Sequence, residues 1–521
     1  MRVDVISNLT DFGKLESNWN ALYDADPDAQ LFISWKWLSG WLTQISSPWF
    51  VLAAKPEGKP DAPYVAFLPM RIQTKSDNGR IHNELNMAGN FTADYTGFLC
   101  EPGAEHLAIP AFVRHLKQLN WSRLNFENFR ISEPRMRLFL AHFPKANFQT
   151  SETSRIGKTD GIDNALCPFA VLPPSWDGYL EGLSTNTRQK IRRLLRMVDA
   201  SEEYRITVST TETIERDLNT LLEFWEIKWK PRKGDLVHTL VRSNRAMLTR
   251  SFRSGLLYLP TLWQGERPLA ALATLMDMRK RSFLFYITGR DETFDGPPPG
   301  VILHAHSIRH AIANGITEYD FLRGNETYKY SFGVKERRIR CTVVATRNGL
   351  NLGGKVDPRT IPDVLDEATK FHQQGKLIEA ERGYRDVLQV QPKNADAIHR
   401  LGQLSTTRGD HAAAKRHYKT LTTIRPEAYK AWLCLAQSCK ALDQHLEAAN
   451  AYREVLRLKP DLPEVFSDLA GVLIKLNRMA EVNAALVAAL GTQERAPKKN
   501  GKVQAKRVMH RSNSRDEAVA M

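Results

Sequence analysis

Apolar residues in the last third of the chain recur at the three- and four-residue spacing that is typical of amphipathic helices. Three residue types also return every 34 positions: Ala380, Ala414, Ala448, Tyr384, Tyr418, Tyr452, Pro392, Pro426 and Pro460. Each alanine lies one helical turn before a tyrosine, and its small side chain lets a second helix approach that face. Each proline closes a unit because proline cannot continue a helix. The pattern predicts an all-α domain at 361–490, with three helix pairs and a fourth capping pair.

The positions between the two helices of each pair are also 34 residues apart, and all of them carry turn-tolerant residues: Gly375, Gly409, Asp443 and Asn477. After the repeats, residues 491–521 are polar and basic and lack apolar periodicity. This composition predicts a disordered tail.

Strand-like and helix-like runs alternate through the first 350 residues, which predicts an α/β or α+β region. An irregular stretch at 151–168 divides this region into two halves, residues 1–165 and 166–350. In the second half, apolar residues line one face of a helix predicted at 186–199, and basic residues cover much of the remainder. A further amphipathic helix is predicted at 221–233.

The stretch from 255 to 333 predicts an arrangement that can hold an acyl-CoA. Three successive antiparallel strands are followed by a loop at 289–300, a helix at 301–314 and a strand at 316–322. The free amides and dipole of a helix N-terminus attract anions. A strand edge can hydrogen-bond a pantetheine arm much as it binds a peptide. The basic residues at 186–199 either face solvent or add charge to this anion site.

Several of these features together resemble the CelD-like acetyltransferases, a divergent branch of the GNAT family that is linked with cellulose biosynthesis. The shared features are Trp35, Trp37, Trp41, the basic helix 186–199, Pro299-Gly300, Asp320, Gly324 and Tyr328-Lys329. Residues 328–333, YKYSFG, are similar to a signature of the Fem-type aminoacyl and peptidyl transferases. The resemblance covers roughly residues 1–345 and implies a tandem GNAT-like fold and N-acyl transfer from acetyl-CoA. The 34-residue units resemble tetratricopeptide repeats, which implies a protein partner.

One part of the GNAT pattern is missing from the chain. The phosphate loop Arg/Gln-x-x-Gly-x-Gly/Ala does not occur, and three consecutive prolines, Pro297 to Pro299, stand where backbone amides would bind pyrophosphate. The amides that follow the prolines and the basic helix could replace the loop. The candidate cofactor-binding residues are therefore Gly300, Val301, Arg188, Arg192 and Tyr328.

Acyl transfer to an amine needs a group that takes a proton from the ammonium and a donor to the leaving thiolate. Asp320 is the candidate base, with a carboxylate that holds the next loop as the other interpretation. Tyr286 is the candidate proton donor, or else a core aromatic residue. Lys329 and Tyr328 are candidates for binding substrate or a cofactor phosphate, and a structural ion pair is the alternative role for Lys329.

No metal site is predicted, because Ser307 occupies the glutamate position of an HExxH motif between His306 and His310. The five cysteines are widely spaced and form no CxxC, so neither disulfides nor a structural zinc is expected. The N-terminus carries charges and no apolar signal segment, and no uncharged apolar run of about 18 residues occurs. These observations predict a cytoplasmic protein without a transmembrane segment.

The formal net charge of +15 favours an anionic partner, such as a nucleotide cofactor, nucleic acid or an acidic membrane surface. The leading hypothesis is an acyl-CoA-dependent N-acetyltransferase whose repeats bind a protein partner. One alternative is aminoacyl or peptidyl transfer from a charged tRNA, and another is a decayed transferase that serves as a scaffold. The amine acceptor stays open among a sugar amine, a peptide and a protein.

Overall fold

A computed structural model describes residues 1–494 apart from Pro60, Phe91 and Thr159. The chain divides into two compact units, residues 1–391 and residues 392–521. Over the described residues, the first unit contains two eight-stranded sheets with their helices and the first repeat pair, and the second contains helices only. The predicted α/β region and the all-α tetratricopeptide region are therefore both confirmed. No helix among the described residues has the length and apolar character needed to cross a membrane.

The strands are β1 (Arg2–Ile6), β2 (Trp49–Lys55), β3 (Ala66–Asp77), β4 (Arg80–Met87), β5 (Leu99–Cys100), β6 (Arg123–Phe129), β7 (Phe148–Glu152), β8 (Leu166–Val171), β9 (Tyr204–Val208), β10 (Leu257–Tyr258), β11 (Pro260–Gln264), β12 (Arg267–Asp277), β13 (Ser282–Arg290), β14 (Glu318–Asp320), β15 (Lys335–Arg338) and β16 (Arg340–Thr346).

The α-helices are α1 (Leu9–Gly13), α2 (Glu16–Ala25), α3 (Trp35–Leu42), α4 (Glu105–Leu116), α5 (Glu133–Ala141), α6 (Trp176–Glu181), α7 (Thr185–Asp199), α8 (Ile214–Lys233), α9 (Leu236–Arg253), α10 (Pro299–Ala313), α11 (Ile361–Gln373), α12 (Leu377–Val390), α13 (Ala395–Thr407), α14 (His411–Ile424), α15 (Tyr429–Ala441), α16 (His445–Leu458), α17 (Pro463–Lys475) and α18 (Met479–Glu494).

The first sheet has the strand order β1-β2-β3-β4-β6-β16-β7, with β5 paired to β3. One of its faces packs against α4 and α5 around Phe112, Phe126 and Phe139. At the β1–β2 side, the other face is covered by α2 and α3, where Trp19 and Trp35 lie in a second core. The early tryptophans therefore contribute to the core.

The position of β16 in the fold does not follow the division into halves, residues 1–165 and 166–350, that the sequence predicts. It lies in the first sheet, antiparallel to both β6 and β7. Val344 on this strand is fully buried in the core of that sheet. The first sheet is therefore completed by residues that follow the second sheet in the chain. The strand β16 lies between β6 and β7, and its apolar side belongs to the core of the first sheet.

The second sheet has the strand order β15-β8-β14-β13-β12-β11-β9, with β10 paired to β12. The helices α6, α7 and α10 cover one face, and α8 and α9 pack on the other. The antiparallel strands predicted between 255 and 290 are confirmed. The strand predicted at 316–322 is shorter, because Leu322 takes a φ of 56° and turns the chain two residues after Asp320. The helix predicted at 221–233 is longer, since α8 begins at Ile214.

Polar contacts join the two halves of the first unit. The Tyr95 hydroxyl donates to the Asp320 carboxylate at 3.0 Å, and Arg323 Nε donates to Asp94 Oδ1 at 2.7 Å. The Tyr23 hydroxyl also donates to Asp277. Because these groups come from both halves, with Tyr23 on α2 and the others on strands and loops, they fix the second half against the first.

The first repeat pair, α11 and α12, packs on the β3–β4 hairpin of the first unit. Ser76 Oγ donates to Glu367 Oε1 at 2.6 Å. A Cβ at Gly383 of α12 would lie 2.7 Å from Ala368 Cβ and 2.8 Å from Ile81 Cδ1. Only glycine therefore permits α12 to approach both α11 and β4 at this point.

The second unit consists of three helix pairs, α13–α14, α15–α16 and α17–α18, in the described residues. The repeated alanines and tyrosines at 414, 418, 448 and 452 are buried, as their spacing predicts. The turn residues Gly409, Asp443 and Asn477 all have φ between 55° and 74°, the left-handed region that turns require. The tail predicted at 491–521 overlaps α18, which continues to Glu494, and residues 495–521 lie outside the described residues.

Asn83 connects the first sheet to the segment that precedes the first repeat. It is fully buried; its side-chain amide donates to Thr360 Oγ1 at 2.9 Å, and its Oδ1 accepts from the Asp357 amide at 2.7 Å. Replacing Asn83 by alanine leaves the buried Asp357 amide without its acceptor and removes one of the two hydrogen bonds of the Thr360 hydroxyl, which still donates to the Asp357 carbonyl, so we expect the free energy of unfolding to fall by about 2 kcal/mol. Urea unfolding followed by circular dichroism measures the change. Asn314→Ala, at the exposed end of α10, is the control, and equal effects of the two substitutions would contradict the assignment.

Candidate active site

The second sheet opens between its two parallel strands, β13 and β14. They pair only from Ser282 to Leu284, opposite Glu318 to Asp320. β13 continues to Arg290 and pairs there with β12 on its other edge. Among the described residues, its edge from residue 285 to 290 has no strand partner on the β14 side, and such an unpaired edge can hydrogen-bond an extended ligand.

The helix α10 begins at the carboxyl end of β13 after the proline-rich loop. Its N-cap is Pro298, whose side chain makes no capping hydrogen bond. Proline donates no hydrogen bond, so the first amides of the helix are those of Gly300 and Val301. The space where a Gly300 Cβ would stand has no atom within 4 Å. The first turn thus presents two amides and a positive dipole end to open space, where an anion can bind.

Two of the acidic residues in the loop between β13 and α10, Asp291 and Glu292, are neutralised locally. Asp291 accepts from Arg267 and from Thr293, and Glu292 accepts from Arg290. These hydrogen bonds lower the pKa of Asp291, first through Thr293, and that of Glu292 through Arg290. The acids therefore remain ionised while their charge is offset beside the helix N-terminus.

The predicted basic residues Arg188 and Arg192 lie on α7, which packs against the same core as α10. The two helices are also joined by Arg309, whose guanidinium donates to Asp199 at 2.7 and 3.0 Å. Arg192 is paired with Asp177 at 3.6 Å, and both side chains are exposed. The helix that carries both arginines therefore lies on the same face of the second sheet as α10.

Tyr328 and Lys329 lie together in the short 3-10 helix that follows β14, but they have different surroundings. The Lys329 ammonium is buried and donates to the carbonyls of Arg323 and Gly324 at 2.8 and 2.9 Å. It also pairs with Glu326 at 2.8 Å. Tyr328 remains 43% exposed. Lys329 therefore holds the loop, whereas Tyr328 offers a side chain to a ligand.

His304 lies at this site, and the sequence analysis did not select it as a candidate residue. It lies on α10, one turn after Gly300, with its ring centroid 5.8 Å from that of Tyr328. Its Nδ1 is 3.1 Å from the Tyr319 hydroxyl. Complete burial, and to a lesser degree the nearby Lys329 charge, lower the pKa of His304 to about 3. The imidazole is neutral near pH 7, and its helical spacing from Gly300 was the signal available in the sequence.

Tyr286 is placed on the opposite face of the sheet from His304. Its hydroxyl donates to the Thr92 carbonyl at 3.1 Å and lies 3.4 Å from Asn244 Oδ1. Burial raises the pKa of Tyr286 well above its ordinary value. The structure therefore separates Tyr286 from the α10 side and directs it to the other half of the unit.

Asp320 is fully buried at the end of β14. Its carboxylate accepts from the Tyr95 hydroxyl and from the Leu322 amide at 2.8 Å, and it lies 3.5 Å from Arg337. Burial raises the pKa of Asp320, and the Arg337 charge partly offsets the rise. These contacts match those of a carboxylate that holds the following turn.

Over the described residues, no group of three or more His, Cys, Asp or Glu side chains is arranged to hold a metal ion. His310, one of the histidines considered for that role, stacks on Tyr258 with ring centroids 4.4 Å apart. The site is therefore formed by backbone amides, a strand edge, aromatic rings and arginines.

Comparisons with known proteins assign a family to two segments of the chain. Residues 185–330 match an acetyltransferase (GNAT) domain, and residues 429–462 match a tetratricopeptide repeat. The chain therefore carries a GNAT-type acetyltransferase domain, which contains β13, α10 and β14, and tetratricopeptide repeats. No curated protein sequence matches the chain significantly.

Solved structures that are similar in part include three with low sequence identity. FemX is 10% identical with a TM-score of 0.46, and the alignment covers 67% of this chain and 98% of that one. MamA is 16% identical with a TM-score of 0.25, and the alignment covers 27% of this chain and 81% of that one. A MamA from Desulfovibrio magneticus RS-1 is 12% identical with a TM-score of 0.25, and the alignment covers 26% of this chain and 78% of that one.

Proposed function

We propose that the protein transfers an acetyl group from acetyl-CoA to an amine. The observation that carries this proposal is the opening between β13 and β14, which faces the uncapped first turn of α10 inside the GNAT-type segment. A strand edge and a free helix end together suit a ligand with an extended amide-containing arm and a pyrophosphate.

The donor is held mainly by the backbone in this proposal. The pantetheine amides hydrogen-bond to the free edge of β13 after Leu284, and the pyrophosphate binds the amides of Gly300 and Val301. Two amides are fewer than a glycine-rich loop offers, so Arg188 and Arg192 of α7 add charge to the phosphates. These are four of the five residues that the sequence analysis selected for the cofactor, and the fifth is Tyr328.

The transfer itself places few demands on side chains. The amine nitrogen attacks the thioester carbon, the carbon–sulfur bond breaks, and the thiolate receives a proton while the new amide nitrogen loses one. The hydroxyl of Tyr328, whose ring lies beside His304 of α10, is the proton donor to sulfur, and burial raises its pKa above the ordinary value. The hydroxyl of Tyr286 points away from α10 toward Thr92, and Asp320 is fully buried, so water takes the proton from the amine. Asp320 and Lys329 act by holding the turn that carries Tyr328.

Calorimetric titration with acetyl-CoA tests donor binding. Val301→Pro removes one amide from the first turn, where proline is compatible with a helix. Losing a hydrogen bond to a charged group costs about 1.5–3 kcal/mol, so we expect binding to weaken about 10- to 100-fold. Gly300→Ala retains its amide and enters open space, so it is the matched control. Absence of heat with the unmodified chain at millimolar acetyl-CoA would refute the proposed donor.

Tyr328→Phe tests the proton donor. General acid catalysis contributes about 100-fold or more, so we expect kcat to fall by about that factor while KM for acetyl-CoA changes little. The control is Tyr330→Phe, two residues after Tyr328 in the same 3-10 helix. This substitution removes a hydroxyl that donates to Glu336. Steady-state kinetics at several pH values measure both variants, and equal kcat for Tyr328→Phe and the parent would exclude this role.

One observation favours a second donor class, an aminoacyl-tRNA. The loop before α10 offers prolines and acidic residues where a CoA-binding loop would offer amides, and the chain is strongly basic. Transfer that depends on charged tRNA, without acetyl-CoA binding, would select this alternative. A chain that binds neither donor would act as a scaffold.

The repeats provide a surface for a protein partner in this proposal. In the second unit, a groove between α14, α15 and α16 is lined by Lys419, Trp432, Leu435, Asn450 and Arg453 among others. Two cations lie there with two acids, Glu447 and Glu454, beside an indole and an aliphatic side chain, and this mixed lining suits an extended peptide with charged and apolar residues. Binding of such a peptide delivers an acceptor or a partner to the chain.

A further inference from the structure

One face of the first sheet is polar where the strands β3, β4 and β6 meet. We call it the polar face, and it consists of Arg71, Gln73, Glu84, Asn86, Asn125 and Glu127. Their positions alternate with Ile72, Leu85 and Phe126, which lie in the apolar core on the opposite face. The alternation means that this set of amides, carboxylates and a guanidinium occupies a single side of the sheet.

The polar face is ordered by cross-strand pairs. Arg71 lies opposite Asn86, Gln73 lies opposite Glu84, and Asn86 lies opposite Asn125. The Asn125 amide donates to Asn86 Oδ1 at 3.0 Å and to Glu84 Oε2 at 3.2 Å. The Asn86 amide donates to Gln73 Oε1 at 3.2 Å. Asn86 and Asn125 are buried, so the side chains are held in place before any ligand arrives.

Two buried atoms at one end of the polar face lack hydrogen-bond partners among the described residues. They are Arg71 Nε and Asn90 Oδ1. Asn90 is fixed by its own amide, which donates to Glu127 Oε2 at 2.6 Å. A buried donor and a buried acceptor without partners cost stability, and each is a group that a ligand can satisfy.

This end of the polar face is next to the opening in the second sheet. Asn90 lies two residues before Thr92, whose carbonyl accepts from Tyr286 on β13. Two residues further along the same segment, Asp94 pairs with Arg323 at 2.6 Å. A ligand on the polar face therefore ends beside the strand edge that would carry the acyl group.

The chemistry of the polar face fits an oligosaccharide. Amide, carboxylate and guanidinium groups offer adjacent donors and acceptors, and a sugar hydroxyl both donates and accepts. The charges balance locally, because Arg123 lies 3.5 Å from Glu84 and the Glu127 charge acts on Arg71. A balanced surface disfavours a polyanion. Trp49, half-buried opposite Arg71 on β2, adds an aromatic ring against which a pyranose can pack.

We propose that the polar face binds the acceptor, an oligosaccharide with free amino groups, whose terminal amine lies near Glu127 and Asn90. The acceptor role rests on the proposed function, whereas oligosaccharide binding by this face does not. The unpaired Arg71 and Asn90 atoms receive hydrogen bonds from the sugar, and the Glu127 carboxylate faces its ammonium.

The test is calorimetric titration of the full chain, without any donor, with a β-1,4-linked glucosamine tetramer. We expect a dissociation constant in the millimolar range or tighter. Asn125→Ala and Gln73→Ala should each weaken binding tenfold or more, and Gln73 is partly exposed, so its replacement is tolerated by the fold. Asn314→Ala is the control. Absence of binding, or equal binding by all variants, would overturn the proposal.

Two further titrations separate this proposal from the proposed function. Acetyl-CoA should bind the Asn125→Ala and Gln73→Ala variants as it binds the parent, because these residues lie outside the donor site. Acetyl-CoA binding without tetramer binding would overturn the polar-face proposal alone, and the reverse result would overturn the proposed donor alone. A lysine-containing tetrapeptide that binds in place of the sugar would overturn the carbohydrate class.

Discussion

Replacing Asp320 by alanine should lower the free energy of unfolding of the first unit by about 2–4 kcal/mol. The substitution leaves the Tyr95 hydroxyl without its acceptor in the interior. It also removes the acceptor for the Leu322 amide, which holds the left-handed turn after β14. Arg337 loses a contact at 3.5 Å but keeps Glu318 as its ion-pair partner, so the cost comes mainly from the two buried donors that lose a charged acceptor. Urea unfolding monitored by tryptophan fluorescence measures the loss.

Asp320→Asn distinguishes a positioning role from that of a base. Asparagine retains an acceptor for Tyr95 and for the turn, so we expect most of the stability and an activity within a fewfold of the parent. A loss of a hundredfold or more in kcat with an unchanged Tm would instead identify Asp320 as the base. Asp295→Ala, an exposed acid in the loop before α10, is the control and should change stability by less than about 0.5 kcal/mol.

Acid should destabilise the protein through His304, and His304→Gln should remove that part of the pH dependence. Burial lowers the pKa of His304 to about 3, below the 6.5 of an unperturbed histidine. Between these values the unfolded chain binds a proton that the folded chain does not, so stability is complete above pH 6.5 and falls as the pH decreases. The slope is about 1.4 kcal/mol per pH unit, or about 3 kcal/mol between pH 6.5 and 4.

The measurement is the free energy of unfolding of parent and variant at intervals between pH 4 and 7.5. Below pH 6.5, the free energy of unfolding should fall more steeply with decreasing pH in the parent than in the variant, by an amount that corresponds to up to about one bound proton. Above about pH 7 the two curves should run parallel. Glutamine can still form a hydrogen bond with Tyr319, which limits the cost of the substitution itself. His106→Gln, at an exposed position of α4, is the control. Parallel curves over the whole range would show that His304 does not enter the acid transition.

The repeats were predictable from the sequence because their physics is local. A tyrosine and an alanine four positions apart lie on one helix face in any helix. The prolines, which are 34 residues apart, each end a unit in the same way. The turn residues at 409, 443 and 477 adopt left-handed backbone angles, which Gly, Asp and Asn accept at low cost. None of this required knowledge of distant contacts.

The order β13, α10, β14 was predictable for the same reason, and so were the free amides at Gly300 and Val301. The separation of β13 and β14 was not, because it depends on where Leu322 turns the chain and on Tyr95, which is more than 200 residues away. The surroundings of Asp320 and Lys329 likewise come from the packing of two halves. Their residue types allowed either a catalytic or a structural role, and their burial together with complete hydrogen bonding favours the structural role.

By itself, the sequence determined the helical repeats, the alternation of strands and helices, and the helix end that can attract an anion, since each follows from the spacing of neighbouring residues. Only the tertiary structure placed β16 in the first sheet, fixed Gly383 against β4, directed Tyr286 away from α10 and gathered the polar face. These features join residues that are far apart in the chain, and they depend on side-chain packing that one-dimensional spacing does not encode.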